Sequence, residues 1–173
     1  MRRLGLITLA VCFLFGSPIA LVAAQAPDPQ DRTSTRAQIE AMYEEWGRAR
    51  VHVDRVTIEK ILHQEFFVLL DGKELTRAEF IDEVTRDGRK SALSRFDAQV
   101  LTLQENDKDW TVVISEKVEY DVIDADGVTR KIYSFWITRD GCRKTGSQWQ
   151  VTYSEAIGYE TWRSGTKPPF SDW

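Results

Sequence analysis

The chain is short of the residues that most often carry chemistry. It has two histidines, two cysteines and two methionines in 173 residues. His52 and His63 stand far from any Cys/His cluster, so a metal centre has no ligand pattern to rest on and no cofactor is expected. There is no long basic run, which leaves no electrostatic footprint for nucleic acid. Internal repeats and low-complexity blocks are missing too. The formal net charge of −4 favours solubility and says little about partners. No complete catalytic constellation is written along the chain.

A targeting signal is present. Arg2 and Arg3 precede an apolar run from Leu4 to Phe15, interrupted after it by Gly16, Ser17 and Pro18. Val22-Ala23-Ala24 supplies small residues for cleavage, so residues 1–24 read as a secretory signal peptide. A membrane-spanning helix needs roughly 20 apolar residues without such a break. The expectation is an exported protein, periplasmic or secreted, with no stable membrane anchor after cleavage. Cys12 leaves with the leader, and Cys142 then has no internal disulfide partner. Its setting, Asp140-Gly141-Cys142-Arg143-Lys144, reads as a polar turn where the two cations lower the thiol pKa, or as an incidental surface thiol.

Residues 25–33, with Pro27 and Pro29, read as a flexible linker, and 34–160 as the folded domain. Thr35-x-x-Gln38 has the form of a capping box, followed by Ile39, Met42, Tyr43 and Trp46 at helical spacing. Asp54 caps a short second helix burying Ile58, Ile61 and Leu62. Phe66 to Leu70 is short and apolar and predicts a strand. Asp71-Gly72 then marks a turn, and Thr76-x-x-Glu79 caps a third helix that Gly88 ends. Four strands follow, over about 95–104, 110–122, 130–138 and 149–158, separated by polar turns at Asn106-Asp107, Asp124 to Gly127 and Asp140 to Ser147. Helices first and an antiparallel meander after give an α+β class. Residues 161–173 read as a Trp-rich tail.

Alternation along the strands separates their faces. Trp110, Val112, Ile114, Val118 and Tyr120 share one face of the second meander strand, with Glu116 among them. In the third, Ile132, Ser134 and Trp136 oppose Tyr133, Phe135 and Ile137, so both faces are apolar. Helices cover only one face. The other calls for a second copy, giving a two-fold homodimer through the outer sheet face, or for the tail with Trp162, Phe170 and Trp173 folded over it.

Together, Asp54, Glu65-Phe66-Phe67-Val68, Asp71-Gly72, Thr76-Arg77-Ala78-Glu79-Phe80, Phe135-Trp136-Ile137-Thr138-Arg139-Asp140-Gly141 and Trp149-Gln150-Val151 resemble the SnoaL-like branch of the nuclear-transport-factor-2-like superfamily. The resemblance covers roughly Ala37 to Tyr159. It implies a cone-shaped (cystatin-like) roll, with three N-terminal helices packed in a curved antiparallel sheet and a pocket between them. Some members are steroid isomerases, polyketide cyclases or dehydratases. Others bind ligands or act as dimerising scaffolds, so the fold alone does not settle function. The isomerase-like members use a carboxylate late in the first strand, a Tyr on the first helix and a protonated acid on the third sheet strand. Here those positions fall near Leu70 (with Asp71 beside it), on Met42 or Tyr43, and near Ser134, so the second acid is missing.

The candidate catalytic residues are Glu116, Tyr43 and His63. Glu116 is a carboxylate on an apolar strand face, whose pKa burial would raise; a strand-edge position reaching water or pairing with an Arg is its bland alternative. Glu155 shares the phase of Val151, Tyr153 and Ile157 and is weighed the same way. His63 is an acid–base candidate in a dehydratase-like site, or a cap on the second helix's carbonyls. Tyr43, Trp46, Phe67, Tyr120, Ser134, Trp136 and Tyr153 are the expected ligand-binding set, the aromatics being core residues in the alternative.

The leading expectation is an exported, dimeric protein that binds a small hydrophobic or aromatic molecule. A cofactor-free isomerase, cyclase or dehydratase is the alternative, and a scaffold with a filled cup is a third. An open cavity holding an inward carboxylate would favour the enzyme, and an apolar one without ionisable groups would favour binding.

Overall fold

A computed structural model describes residues 29–70, 72–86 and 91–163. The expected leader, Asp71, Gly88, Phe170 and Trp173 lie outside the described residues. Helix α1 (Pro29–His52), helix α2 (Arg55–Ile61), strand β1 (Leu62–Leu70), strand β2 (Lys73–Thr76) and helix α3 (Arg77–Thr85) come first. The meander follows as β3 (Ser91–Glu105), β4 (Trp110–Ile123), β5 (Thr129–Thr145) and β6 (Gln148–Arg163). The fold is the α+β nuclear-transport-factor-2-like roll, a six-stranded sheet in the order β2-β1-β6-β5-β4-β3. All neighbours are antiparallel except β1 and β6, which run parallel.

The helices form for the reasons the sequence suggests, with shifted boundaries. Ile39, Met42, Tyr43, Trp46 and Ala49 recur at helical spacing and are all buried, so α1 presents one continuous stripe to the sheet. Its start at Pro29 places Thr35 inside the helix rather than at a cap, and residues 29–33 belong to α1 rather than to a linker. Pro suits the first helical turn, which needs no N–H from it. Asp54 does cap α2, accepting from the Thr57 amide. Thr76 and Glu79 form the reciprocal capping box of α3. Between them the chain pairs as a β1–β2 hairpin.

The core lies between α1, α3 and the inner face of the sheet. Ile39, Ile58, Leu62, Ile81, Val112, Ile114 and Val118 are fully buried. Each such side chain contributes roughly 1.5–3 kcal/mol relative to exposure. Gly47 lets α1 approach β3 closely, since a Cβ there would lie 2.3 Å from Phe96 Cδ1.

Two strands differ from expectation in a way that matters for the site. β5 runs straight through Asp140-Gly141 and turns only at Gly146, whose φ is 63°. Cys142 is therefore a buried strand residue, not a turn thiol. Gly141 is required by packing: a Cβ on it would lie 2.5 Å from Thr152 Oγ1 and 2.4 Å from the Tyr153 ring. β6 continues to Arg163, so residues 161–163 are strand rather than tail. The β5–β6 register shifts at Gly141/Cys142 and again at Ile137/Thr138. Such bulges change which side chains share a face.

Candidate functional site

The register of β4, β5 and β6 brings polar groups together on the inner sheet face. Val112 pairs with Asp140, and Asp140 with Ser154. Two residues along, Ile114 pairs with Thr138, and Thr138 with Ala156; next, Glu116 pairs with Trp136. These rows floor a cavity of about 420 Å³. Its far side is α1 (Tyr43, Trp46, Arg50) and α3 (Phe80, Glu83, Val84). Leu62, Phe66, Val68 and Leu75 close one wall, and Tyr120 and Val151 also face it. The exposed Leu70 and Glu83 stand at the mouth. The volume falls in the range of about 300–1,000 Å³ usual for small-molecule sites. Phe80 knits the aromatic wall, with ring centroids 6.0 Å from Trp46 and 5.4 Å from Phe66.

Asp140 is the centre of the polar patch and is buried. Tyr43 Oη donates to its Oδ2 at 2.7 Å, and Ser154 Oγ donates to its Oδ1 at 2.7 Å. Burial nevertheless pushes the Asp140 carboxyl up to about 6, against the pull of these donors. The Tyr43 hydroxyl is raised well above its ordinary range, first by burial and then by the Asp140 charge, so it stays a proton donor. Cys142 Sγ lies 3.6 Å from the same hydroxyl. Burial, with Asp140 nearby, raises the Cys142 thiol, opposite to the lowering expected from Arg143 and Lys144. Arg143 instead grips Asp109 through Nε at 2.6 Å and Nη2 at 3.1 Å.

Glu116 lines the cavity beyond Asp140. Desolvation lifts its carboxyl to about 7; the Arg50 charge opposes the rise and the Asp140 charge adds to it. Its side chain keeps some accessible surface, as a cavity-lining residue does, but the carboxyl is enclosed enough for burial to dominate. The Arg50 guanidinium lies 5.4 Å from the ring centres of both Trp46 and Phe96, which hold the cation at the cavity edge. Thr138 Oγ1 lines the same cavity, is buried, and has no hydrogen-bond partner. It lies near enough to Asp140 to favour the ionised carboxylate, but outside hydrogen-bonding geometry.

Of the expected site residues, Tyr43, Trp46, Glu116, Tyr120 and Trp136 meet at this cavity. The others do not. Phe67 and Tyr153 pair across β1 and β6 and stack at 5.9 Å on the opposite, convex face, because Phe66 and Val68 take the inward positions and the bulge in β6 turns Tyr153 outward. Glu155 is turned outward by the same shift and pairs with Arg139. Ser134 is buried beyond Trp136, bonded to Thr161 at 3.0 Å. His63 is the second residue of β1, and its Nδ1 accepts from the Glu65 amide. The carbonyl-capping role considered for it belongs to Arg77, which donates to Glu59 O and Leu62 O. Asp140, Arg50, Thr138 and Ser154 were not on the expected site at all. Among the described residues no group of three or more His, Cys, Asp or Glu is arranged to hold a metal ion.

No family model matches the sequence, and no curated protein sequence matches it either. Solved structures do match in fold. A putative scytalone dehydratase from Novosphingobium aromaticivorans superposes with a TM-score of 0.63 at 10% identity, over 76% of this chain and 89% of the other. A type 2 hexachlorocyclohexane dehydrochlorinase gives 0.61 at 11% identity, over 83% and 99%. An NTF2-like protein from Cytophaga hutchinsonii gives 0.51 at 11% identity, over 75% and 98%. At these identities the likeness is one of fold.

Proposed function

We propose that the protein is a cofactor-independent enzyme of the isomerase or lyase type, moving a proton on a small, mainly apolar substrate. One observation carries this reading. Glu116 faces the cavity with a carboxyl lifted to about 7, and a second inward acid, Asp140, lines the same cavity. A carboxyl titrating near neutrality accepts and returns protons with the least mismatch to its surroundings. A cavity meant only to hold an apolar molecule gains nothing from two buried acids, which burial makes costly.

In this reading the Glu116 carboxylate takes a proton from a carbon next to an electron-withdrawing group. The C–H electron pair moves onto that group, or expels a leaving group from the neighbouring carbon. The protonated Glu116 then returns its proton to carbon or to the leaving group. Desolvation sustains the high Glu116 pKa, and Asp140, held in place by Tyr43 and Ser154, adds less to it than Arg50 takes away. Arg50 limits that rise, so an ionised fraction survives at neutral pH. Two of the fold neighbours bear the names of a dehydratase and a dehydrochlorinase, both elimination chemistries, which is compatible with this class.

The proposal extends to the rest of the chain: residues 1–24 export it, and two copies join through the convex face that carries Phe67, Tyr153 and the half-exposed Ile157.

A generic ketone serves as the probe in place of the natural substrate. Exchange of the α-protons of 2-tetralone into D2O is followed by NMR with wild type and Glu116→Gln. Wild type is expected to exceed the buffer rate, rising with pH through about 7. Glu116→Gln is expected to lose about 10²–10⁴-fold. A wild-type rate equal to buffer, with the ketone bound, would reduce the protein to a binding module.

A further inference from the structure

Thr138 is a buried polar group whose hydroxyl makes no hydrogen bond within the protein, although the Asp140 carboxyl two residues on lies close enough to feel it. Its cross-strand neighbours on the inner face are Ile114 and Ala156, neither of which offers a side-chain donor or acceptor. Its residue is 7% exposed, and its hydroxyl is without a partner. Buried hydroxyls in folded proteins are nearly always satisfied, and one that is not calls for an explanation. Ala156 carries only a methyl group, so the space over Thr138 opens into the cavity rather than being filled from β6.

We propose that the Thr138 hydroxyl is the anchor for a neutral oxygen of the bound molecule, an alcohol or a ketone on an otherwise apolar ring system. The inference rests on the reading of this cavity as a small-molecule site and names the class of molecule it takes. An oxygen seated above Thr138 completes the hydroxyl's bonding and lies beside Asp140, whose two oxygens already receive Tyr43 and Ser154. A ligand carboxylate is disfavoured there by Asp140 and Glu116 on the same wall. A ligand ammonium would pair with the Asp140 carboxylate itself and has no hydrogen-bond acceptor role to offer the Thr138 hydroxyl proton. A neutral oxygen is the group that makes use of Thr138. The aromatic and aliphatic wall formed by Trp46, Phe66, Val68 and Phe80 fits the ring system.

The experiment uses Trp46 and Trp136, both lining the cavity, as fluorescence reporters. The full chain is titrated with tetralin, 1-tetralol, 1-tetralone, 1-aminotetralin and 1-naphthoate, as wild type, Thr138→Val and Thr138→Ser. Wild type is expected to bind the alcohol or the ketone about tenfold or more tightly over tetralin, the scale of a well-made buried hydrogen bond. Thr138→Val is expected to abolish that preference while leaving tetralin binding unchanged, and Thr138→Ser to restore it. Thermal unfolding without ligand supplies a second readout. Measured below the Asp140 range of about 6, where that carboxyl is protonated and draws no help from Thr138, removing an unsatisfied hydroxyl for an isosteric methyl should leave the melting temperature of Thr138→Val unchanged or higher, whereas a structural role for the hydroxyl would lower it.

Retention of the preference by Thr138→Val, a lowered melting temperature, or strongest binding by the amine or the naphthoate would overturn the anchor while leaving the cavity reading intact. Failure of all five compounds, tetralin included, to bind wild type would overturn both.

Discussion

Burying Glu116 should leave a signature in the pH dependence of folding, and Glu116→Gln should erase it. The carboxyl moves from 4.5 to about 7 on folding. The native state therefore holds a proton that the unfolded chain has already lost between those values. An acid with a raised folded pKa contributes stability that is whole below about 4.5 and is lost as pH climbs through about 7. Between pH 5 and pH 8 the loss integrates to about 2.5 kcal/mol. Gln in the same place carries no charge at either end, so the stability difference, variant minus wild type, should grow by that amount over the interval. The attraction between Arg50 and ionised Glu116 is already contained in the value of about 7, so it adds no further pH dependence to this difference. Asp140, lifted from 3.8 to about 6, gives a decline of the same sign in both proteins, mostly complete by pH 6.5. Urea unfolding at half-unit steps, with a constant denaturant slope, measures the difference. In thermal terms it corresponds to about 5–10 °C at pH 8, at about 2–4 °C per kcal/mol for a chain of this size. Parallel stability curves for the two proteins would mean that Glu116 is solvated or firmly paired with Arg50, and the argument for a neutral-range acid would collapse.

Two further substitutions probe the frame of the site. Tyr43→Phe removes the hydroxyl that donates to buried Asp140 at 2.7 Å, which should cost about 1.5–3 kcal/mol, as expected for a hydrogen bond to a charged group. It should also move the Asp140 titration upward from about 6, visible by carboxyl carbon NMR. Gly47→Ala puts a Cβ 2.3 Å from Phe96 Cδ1, so the ring must leave its place beside Arg50. Destabilisation of about 1–3 kcal/mol is expected from such overpacking. Unfolding at or above the wild-type urea midpoint would show that α1 and β3 yield without strain.

The order of elements was legible because it rests on local signals that tertiary contacts did not override. The α1 stripe, the Asp54 cap and the Thr76–Glu79 box are all interactions within four residues or at helical period, and each forms as the sequence suggests. The grouping of the β4 side chains was legible for the same reason: an uninterrupted strand keeps period two, so Val112, Ile114, Val118 and Tyr120 had to travel together, and Glu116 with them, while which face turned inward was not. The boundary errors share a cause. Polar residues such as Thr35 and Ser34 resemble helix starts, but Pro29 fits the first turn equally well and the helix extends back to it.

The parts of the site that escaped the sequence are those fixed by bulges and by contacts distant in the chain. Asp140-Gly141 has the composition of a turn, yet Gly141 is small because Thr152 and Tyr153 both crowd its outer side where β6 carries an extra residue. That extra residue lets Val151 point inward while Tyr153 points outward, against the two-residue alternation that had grouped them. Once the turn reading falls, Asp140 becomes an inward strand residue opposite Val112, two positions from Thr138, and it meets Tyr43 across 97 residues of chain. A second inward acid was therefore present in the sequence, six residues beyond Ser134. A strand carrying Ser134, Trp136, Thr138, Asp140 and Cys142 in one phase mixes three polar side chains into its inner face, while Tyr133, Phe135 and Ile137 point outward along its first half. That mixture shows in the sequence once the turn reading at Asp140-Gly141 is dropped. It is what a strand looks like when its inner face must supply a cavity with chemistry rather than fill it.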